Sequence, residues 1–213
     1  YVYKLVDGNA HICAVDPTTD FPDEFTLPEK IDDYTVTAIE EEALSMSDIK
    51  NLTVPDSVTY LGDGAFSDFD TLEEVTLSDS ISALPASAFS GCVNLKKVNL
   101  PDTITNFGTT IKNEGVFNLY SNSGWQFAGC ASLEEIILPD KLGVLPAYTF
   151  YGCKSLKKVV FPKNLTKFLI EFDYTTGWDY IDIKNMRSKL FWDCDALESI
   201  ILPSGIKYIP PKT

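Results

Sequence analysis

Leu95-Lys96-Lys97-Val98-Asn99-Leu100-Pro101, continued by Asp102-Thr103-Ile104-Thr105-Asn106-Phe107, is the stretch on which the reading of this chain turns. Its first half carries apolar side chains at its first, fourth and sixth positions. The last three of these residues alternate as a half-buried strand does, and the proline, which has no N–H to give, then ends the ladder. After a turn, the second half sends two more apolar groups, Ile104 and Phe107, inward. Such a unit cannot cover its own apolar side, so it requires a neighbour of the same kind.

The neighbours are present on both sides. Ile49, Leu72, Leu95, Leu133, Leu156 and Leu197 open successive units at steps of 23, 23, 38, 23 and 41 residues. The two long steps are the 23-residue unit with insertions of 15 and 18 residues. Pro55, Ser78, Pro101, Pro139, Pro162 and Pro203 hold one further column, and an apolar pair follows each, as at Ile104/Phe107 and Leu142/Leu145. Phe66, Phe89, Phe127, Phe150 and Phe191 hold another, with Phe69, Cys92, Cys130, Cys153 and Cys194 three residues beyond. The segment Ala88-Phe89-Ser90-Gly91-Cys92 reads as a short helical or tight-turn return. Each fully buried Leu, Ile or Phe contributes roughly 1.5–3 kcal/mol, so coils with five or six inward positions support one another once stacked.

The pattern L-K-x-V-x-L-P-x-x-I-T-x-F-x-x-x-A-F-x-G-C-x-x resembles the 23-residue BspA-like leucine-rich repeat of bacterial cell-surface proteins. It is carried by residues 72–94, 95–132, 133–155 and 156–196, with a divergent copy at 49–71. The resemblance implies a right-handed leucine-rich-repeat solenoid of parallel β strands with short helical or turn returns, forming a single domain over residues 1–213. Residues 1–48 would be an N-terminal β-hairpin cap and opening coil, 49–196 the repeats with insertions at 109–123 and 170–187, and 197–213 a partial terminal repeat. Strands at 1–6 and 10–15, joined by Asp7-Gly8-Asn9, form the expected hairpin. The far end, Pro210-Pro211-Lys212-Thr213, falls midway through a repeat, which reads either as a fragment of a longer stack or as a proline stop.

Charge narrows the partners. The chain has 31 acidic and 17 basic residues, a pI near 4.4 and a single arginine, Arg187. Nucleic acid and anionic lipid require clustered positive charge and are poor partners for such a surface. No apolar run approaches the 18 or so residues that a membrane span needs. The chain opens at Tyr1-Val2-Tyr3, without the charged and apolar regions of a secretion signal, so such a signal is either absent or already removed. Extracellular or cell-surface placement comes from the resemblance.

Cys92, Cys130, Cys153 and Cys194 recur once per coil, so their side chains should lie parallel as buried, reduced thiols rather than pair as disulfides. Cys13, in the hairpin, is expected to be buried as well. With one histidine, His11, and no Cys-x-x-Cys pair, neither a metal site nor a cofactor is indicated. His11 stands without a nucleophile motif and there is no glycine-rich phosphate loop, so no catalytic residues are assigned. The acidic group Asp16, Asp20, Asp23 and Glu24 lacks the spacing of a calcium loop and reads as a solvated face.

Only the two insertions depart from stacking. Both begin after the second apolar pair and end before the Ala-Phe segment, so they should leave the solenoid from the same edge, with roots about 10 Å apart. Long excursions from a rigid scaffold are common places for function. Their aromatics and those beside them, Phe117, Tyr120, Trp125, Phe172, Tyr174, Trp178 and Tyr180, are the candidate ligand-binding residues. The alternative is that these rings only form a small core holding the loops together. The resemblance implies a non-enzymatic interaction protein that binds host or matrix proteins. A glycan-binding module built on Trp125 and Trp178, and a spacer that displays another domain, remain as alternatives.

Overall fold

The computed structural model describes residues 1–16, 18–44, 48–108, 124–168, 189–206 and 209. The chain begins with strands β1 (Val2–Val6) and β2 (Asn9–Ala14), then β3 (Glu24–Thr26), β4 (Lys30–Ile31) and β5 (Tyr34–Ile39). From there one three-residue and one two-residue strand alternate. These are β6 (Asn51–Thr53) and β7 (Tyr60–Leu61), β8 (Glu74–Thr76) and β9 (Ala83–Leu84), β10 (Lys97–Asn99) and β11 (Asn106–Phe107), β12 (Glu135–Ile137) and β13 (Val144–Leu145), and β14 (Lys158–Val160) and β15 (Lys167–Phe168). Each pair, closed by a turn, makes one coil of a parallel β-solenoid. Pairing is in register with the 23-residue repeat, Lys97 opposite Glu74 and Lys158 opposite Glu135, so every sequence column becomes a column in space.

The strands are short because prolines and turns bound them, and each buries only its middle residue. Leu52, Val75, Val98, Ile136 and Val159 point into the core while their flanks face solvent. The third side of each coil is the Ala-Phe turn. It forms successive tight turns, not a helix, because two positions per turn are left-handed. One is the residue two before the phenylalanine, as at Ser87 (φ 54°), and the other is two after it, as at Gly91 (φ 78°). A left-handed residue every few positions breaks the repeat of i to i−4 hydrogen bonds that a helix needs.

Inside this turn edge, Phe66, Phe89, Phe127, Phe150 and Phe191 stack nearly parallel, with centroids 5.0, 5.5, 5.8 and 5.6 Å apart. The thiols of Cys92, Cys130, Cys153 and Cys194 donate to the carbonyls of Phe66, Phe89, Phe127 and Phe150, each one coil back, at 2.9–3.1 Å. All five cysteines are free. Cys92, Cys130 and Cys153 are buried, whereas Cys194 and Cys13 are only half-buried. Cys13 therefore departs from expectation: it lies near the end of β2, where its thiol reaches the His11 carbonyl at 3.5 Å. Desolvation raises the Cys92 and Cys194 thiols to about 12, drives Cys153 higher still and holds Cys130 well above its ordinary value.

β1 and β2 form the expected hairpin, with a loop of two residues, Asp7 (φ 51°) and Gly8 (φ 80°), because Asn9 already pairs with Val6. β2 adds in parallel to β5 at one end of the row of two-residue strands. His11 Nδ1 and Lys4 Nζ meet Glu40 Oε1 at 2.7 and 3.0 Å and tie the hairpin to the first coil. At the other end, residues 197–206 form no strand, and Ile201 lies almost fully exposed.

Candidate functional site

The two insertions occupy the same place in their coils. One follows β11 and returns at Gly124; the other follows β15 and returns at Lys189. Gly108 N–H donates to the Leu84 carbonyl at 2.7 Å, and Ser87 N–H to the Gly124 carbonyl at 3.1 Å, so the first root is fixed on both sides. Gly124 has no alternative: a Cβ there would sit 2.0 Å from the Ala147 carbonyl oxygen. Of the candidate binding residues, Phe117, Tyr120, Phe172, Tyr174, Trp178 and Tyr180 lie outside the described residues, as does any contact between the two loops. Trp125 is described, and it stands at the root of the first insertion.

Trp125 belongs to the left-handed column two residues before each phenylalanine. That column reads Gly64 (φ 61°), Ser87 (φ 54°), Trp125 (φ 68°), Tyr148 (φ 60°) and Lys189 (φ 44°), preceded by Glu42 (φ 53°) in the opening coil. The backbone there suits glycine, and a bulky side chain raises its energy by about 1–2 kcal/mol. Three successive coils nonetheless carry large side chains, and these meet. The Trp125 and Tyr148 rings stack at 4.3 Å with 5° between their planes, and Tyr151 leans on both at 5.5 and 5.9 Å. Lys189 Nζ lies 5.4 Å above the Tyr148 ring and 5.7 Å from that of Trp192. Tyr148 is buried by its neighbours, while Trp125 is 36% and Trp192 48% exposed.

The strip rests on a polar layer. Gln126 and Thr149 are fully buried at the position where Ala65 and Ala88 stand in earlier coils. The Thr149 hydroxyl lies 2.9 Å from the Pro146 carbonyl oxygen and 3.2 Å from Gln126 Oε1. Sequence reasoning reached Trp125 but not Tyr148, Tyr151, Lys189 or Trp192. The signal was available: these residues occupy columns −2 and +1 from the phenylalanine, where earlier coils carry Gly64, Ser67, Ser87 and Ser90. The strip presents aromatic edges and one cation.

The three-residue strands present a second patterned surface. At their leading flank, charge alternates by coil: Asp23 and Glu24, Lys50, Glu73 and Glu74, Lys96 and Lys97, Glu134 and Glu135, then Lys157 and Lys158. Ion pairs join Lys50 to Asp23, Lys96 to Glu73, Lys97 to Glu74, Lys157 to Glu134 and Lys158 to Glu135. This face neutralises itself. Among the described residues no group of three or more His, Cys, Asp or Glu could hold a metal, and no helix is long and apolar enough to cross a membrane.

The family model described as a BspA type leucine-rich repeat region matches residues 23–115 and 121–213, with 6 copies. Among solved structures, a leucine-rich cell surface protein from Faecalibacterium prausnitzii is 28% identical, with a TM-score of 0.60 over 74% of this chain. The chain spans 37% of that protein. A leucine-rich repeat protein of T. pallidum, 21% identical, superimposes with a TM-score of 0.67 over 96% of this chain and 80% of its own. One from Bacteroides ovatus, also 21% identical, gives 0.66 over 96% of this chain and 52% of its own. These last two share the fold. No curated protein matches the chain.

Proposed function

The chain belongs to the BspA-type leucine-rich-repeat family, and from that premise we propose that it is a non-enzymatic protein of the bacterial cell surface that binds a protein partner. The contact surface is the turn edge at the roots of the two insertions, together with the insertions. One observation carries this reading: Trp125, Tyr148 and Lys189 stand side by side in a backbone column that favours glycine. Strained backbone held in register by a rigid scaffold is a common mark of a working surface. Exposed aromatic edges around a cation are the composition of protein-binding hot spots.

Other features support the same class. The solved relative from Faecalibacterium prausnitzii is described as a cell surface protein. A glycan is the weaker choice because sugar stacking uses the open face of a ring, and one face of Trp125 is covered by Tyr148. The insertion aromatics Phe117, Tyr120, Phe172, Tyr174, Trp178 and Tyr180 are proposed to extend the same surface.

The test is binding of the purified chain to panels of matrix proteins and glycans, beside a version lacking both insertions and a Trp125→Gly variant. The expected result is saturable protein binding, abolished without the insertions and weakened roughly tenfold by Trp125→Gly, a change of about 1.4 kcal/mol. Binding kept by the trimmed solenoid moves the site to the repeat faces. Binding to glycans alone favours the sugar reading, and no binding by any version favours the spacer.

A further inference from the structure

The parallel ladder of three-residue strands is interrupted once. β3, β6, β8 and β10 pair in sequence, as do β12 and β14, but β10 and β12 do not pair with each other. The repeat register would set Val98 opposite Ile136 and Asn99 opposite Ile137. The same coils remain bonded on the turn side. Phe127 N–H reaches the Thr149 carbonyl at 2.9 Å and Gly129 N–H the Tyr151 carbonyl at 2.7 Å. Coils held along one edge and parted along another enclose a cleft of about 560 Å³, bordered by Lys96, Lys97, Val98, Glu134, Glu135 and Ile137.

Among the described residues no strand pairs with either wall on its cleft side. In a parallel ladder alternate residues turn their N–H and C=O to opposite neighbours. Lys97 N–H donates to Glu73 and the Asn99 carbonyl accepts from Leu77, so Lys97 and Asn99 face β8. Val98 therefore turns both of its groups into the cleft. On the other wall, the Glu134 carbonyl accepts from Lys158 and Leu138 N–H donates to Val160, so both face β14. Glu135 and Ile137 are left facing Val98 across the gap. Val98 is buried and Ile137 is 63% exposed. Strand edges left open in this way are a template for pairing with another chain.

We infer that the cleft between β10 and β12 is a strand-acceptor site that takes an extended segment of a partner polypeptide. An extended chain is the ligand that offers N–H and C=O along both edges, at the two-residue pitch of about 6.6 Å that both walls require. A strand seated there sets its neighbours about 9.6 Å apart, which the coils reach by opening about their bonded turn edge. On its solvent face the segment meets the lysine row on one side and the glutamate row on the other. It is therefore of mixed charge, with apolar residues alternating inward beside Val98 and Ile136.

The probe is a fluorescein-labelled nonapeptide of this chain's residues 71–79 carrying Glu74→Lys, followed by fluorescence anisotropy and by amide hydrogen exchange. The expected result is saturable binding with slowed exchange at Val98, Glu135 and Ile137, which exchange readily in the free protein. A disulfide between Asn99→Cys and Ile137→Cys should close the cleft and weaken binding at least about tenfold, with recovery on reduction. Three results overturn the inference: no saturable binding at millimolar peptide, equal binding by the oxidised variant, or those three amides already protected in the free wild-type chain. The exchange measurement needs no substitution, and none of these outcomes bears on the aromatic strip.

Discussion

In each repeat the turn edge sets one residue inside, at Phe66, Phe89, Phe127, Phe150 and Phe191, and one outside two positions earlier, at Gly64, Ser87, Trp125, Tyr148 and Lys189. The inner column keeps one residue type, because each ring must match the ring above and the ring below. The outer column keeps one backbone conformation and lets the side chain change completely. Packing constrains what fills space, whereas a turn constrains only φ and ψ. A repeat protein can therefore acquire a binding surface on its outer column without disturbing its core, at a modest cost in backbone strain.

The largest effect should come from breaking the inner column. Phe127 is fully buried between Phe89 and Phe150, so Phe127→Ala leaves a cavity that neighbouring coils cannot collapse into. Urea unfolding should show a loss of about 3–5 kcal/mol. A loss below about 1 kcal/mol, the size of an ordinary surface change, would mean that the ring stack does not hold the coils together.

Next come the thiols, which belong to the inner side although they are polar. Cys130→Ala removes the donor to the Phe89 carbonyl and should cost about 1–3 kcal/mol. The folded state holds Cys92 and Cys194 up to about 12, against an ordinary value of 9.0. A thiol pKa raised on folding gives stability that is complete below about pH 9 and is lost as pH rises towards 12, because the unfolded chain ionises first. Wild type should lose stability in this window more steeply than Cys130→Ala does, since Cys130 is also raised. Ellman's reagent at pH 8 should leave the thiols of Cys92, Cys130 and Cys153 unmodified until the chain unfolds; rapid labelling of the native protein would contradict their burial.

The outer column should separate stability from binding. Trp125→Gly relieves left-handed strain of about 1–2 kcal/mol but gives up an aromatic contact of about 0.5–1.5 kcal/mol and the burial of the covered part of the ring. The strain relief offsets part of the loss, so stability should fall by less than for Phe127→Ala while partner binding falls. A large loss of stability from this variant would place Trp125 among the structural residues and remove the main support for a lateral site.

How much was legible follows the same division. The repeat and the phenylalanine and cysteine columns could be read from spacing alone, because inward positions stay apolar at one step, and the hairpin from its turn residues Asp7-Gly8-Asn9. Trp125 was legible as an aromatic beside an insertion. Tyr148, Tyr151, Lys189 and Trp192 were not reached: they occupy the −2 and +1 columns beside the phenylalanines, where the change of residue type is open to inspection, but only the three-dimensional stacking of columns shows that they meet. The break between β10 and β12 was also invisible: Lys96-Lys97-Val98 and Glu134-Glu135-Ile136 both fit the repeat, and nothing local in either records that the ladder between them is open.

The smallest expected effect concerns the alternating charges of the strand face, which sharpen the comparison because they are exposed yet strictly patterned. Glu134→Lys with Glu135→Lys would leave six lysines on three adjacent coils, since Lys96 and Lys97 stand on one side and Lys157 and Lys158, which now pair with the two glutamates, on the other. Exposed pairs of this kind contribute less than about 1 kcal/mol each, and salt screens them within a Debye length of about 10 Å at 0.1 M. The reversal should lower stability slightly at low salt, and the deficit should vanish at high salt. Reversing Lys157 and Lys158 to glutamate in the same chain should restore the part lost on that side, while the new lysines still stand beside Lys96 and Lys97. So small a return would not by itself keep a strict alternation over six coils. The pattern acts more on which coil sits beside which, since a slip by one coil brings like charges together along the whole face. That reading requires the charge-reversed chain to form more mispaired or associated species on refolding than the doubly reversed one, with both equally stable at high salt. Equal yields of monomer from both at low salt would leave the alternation without this role.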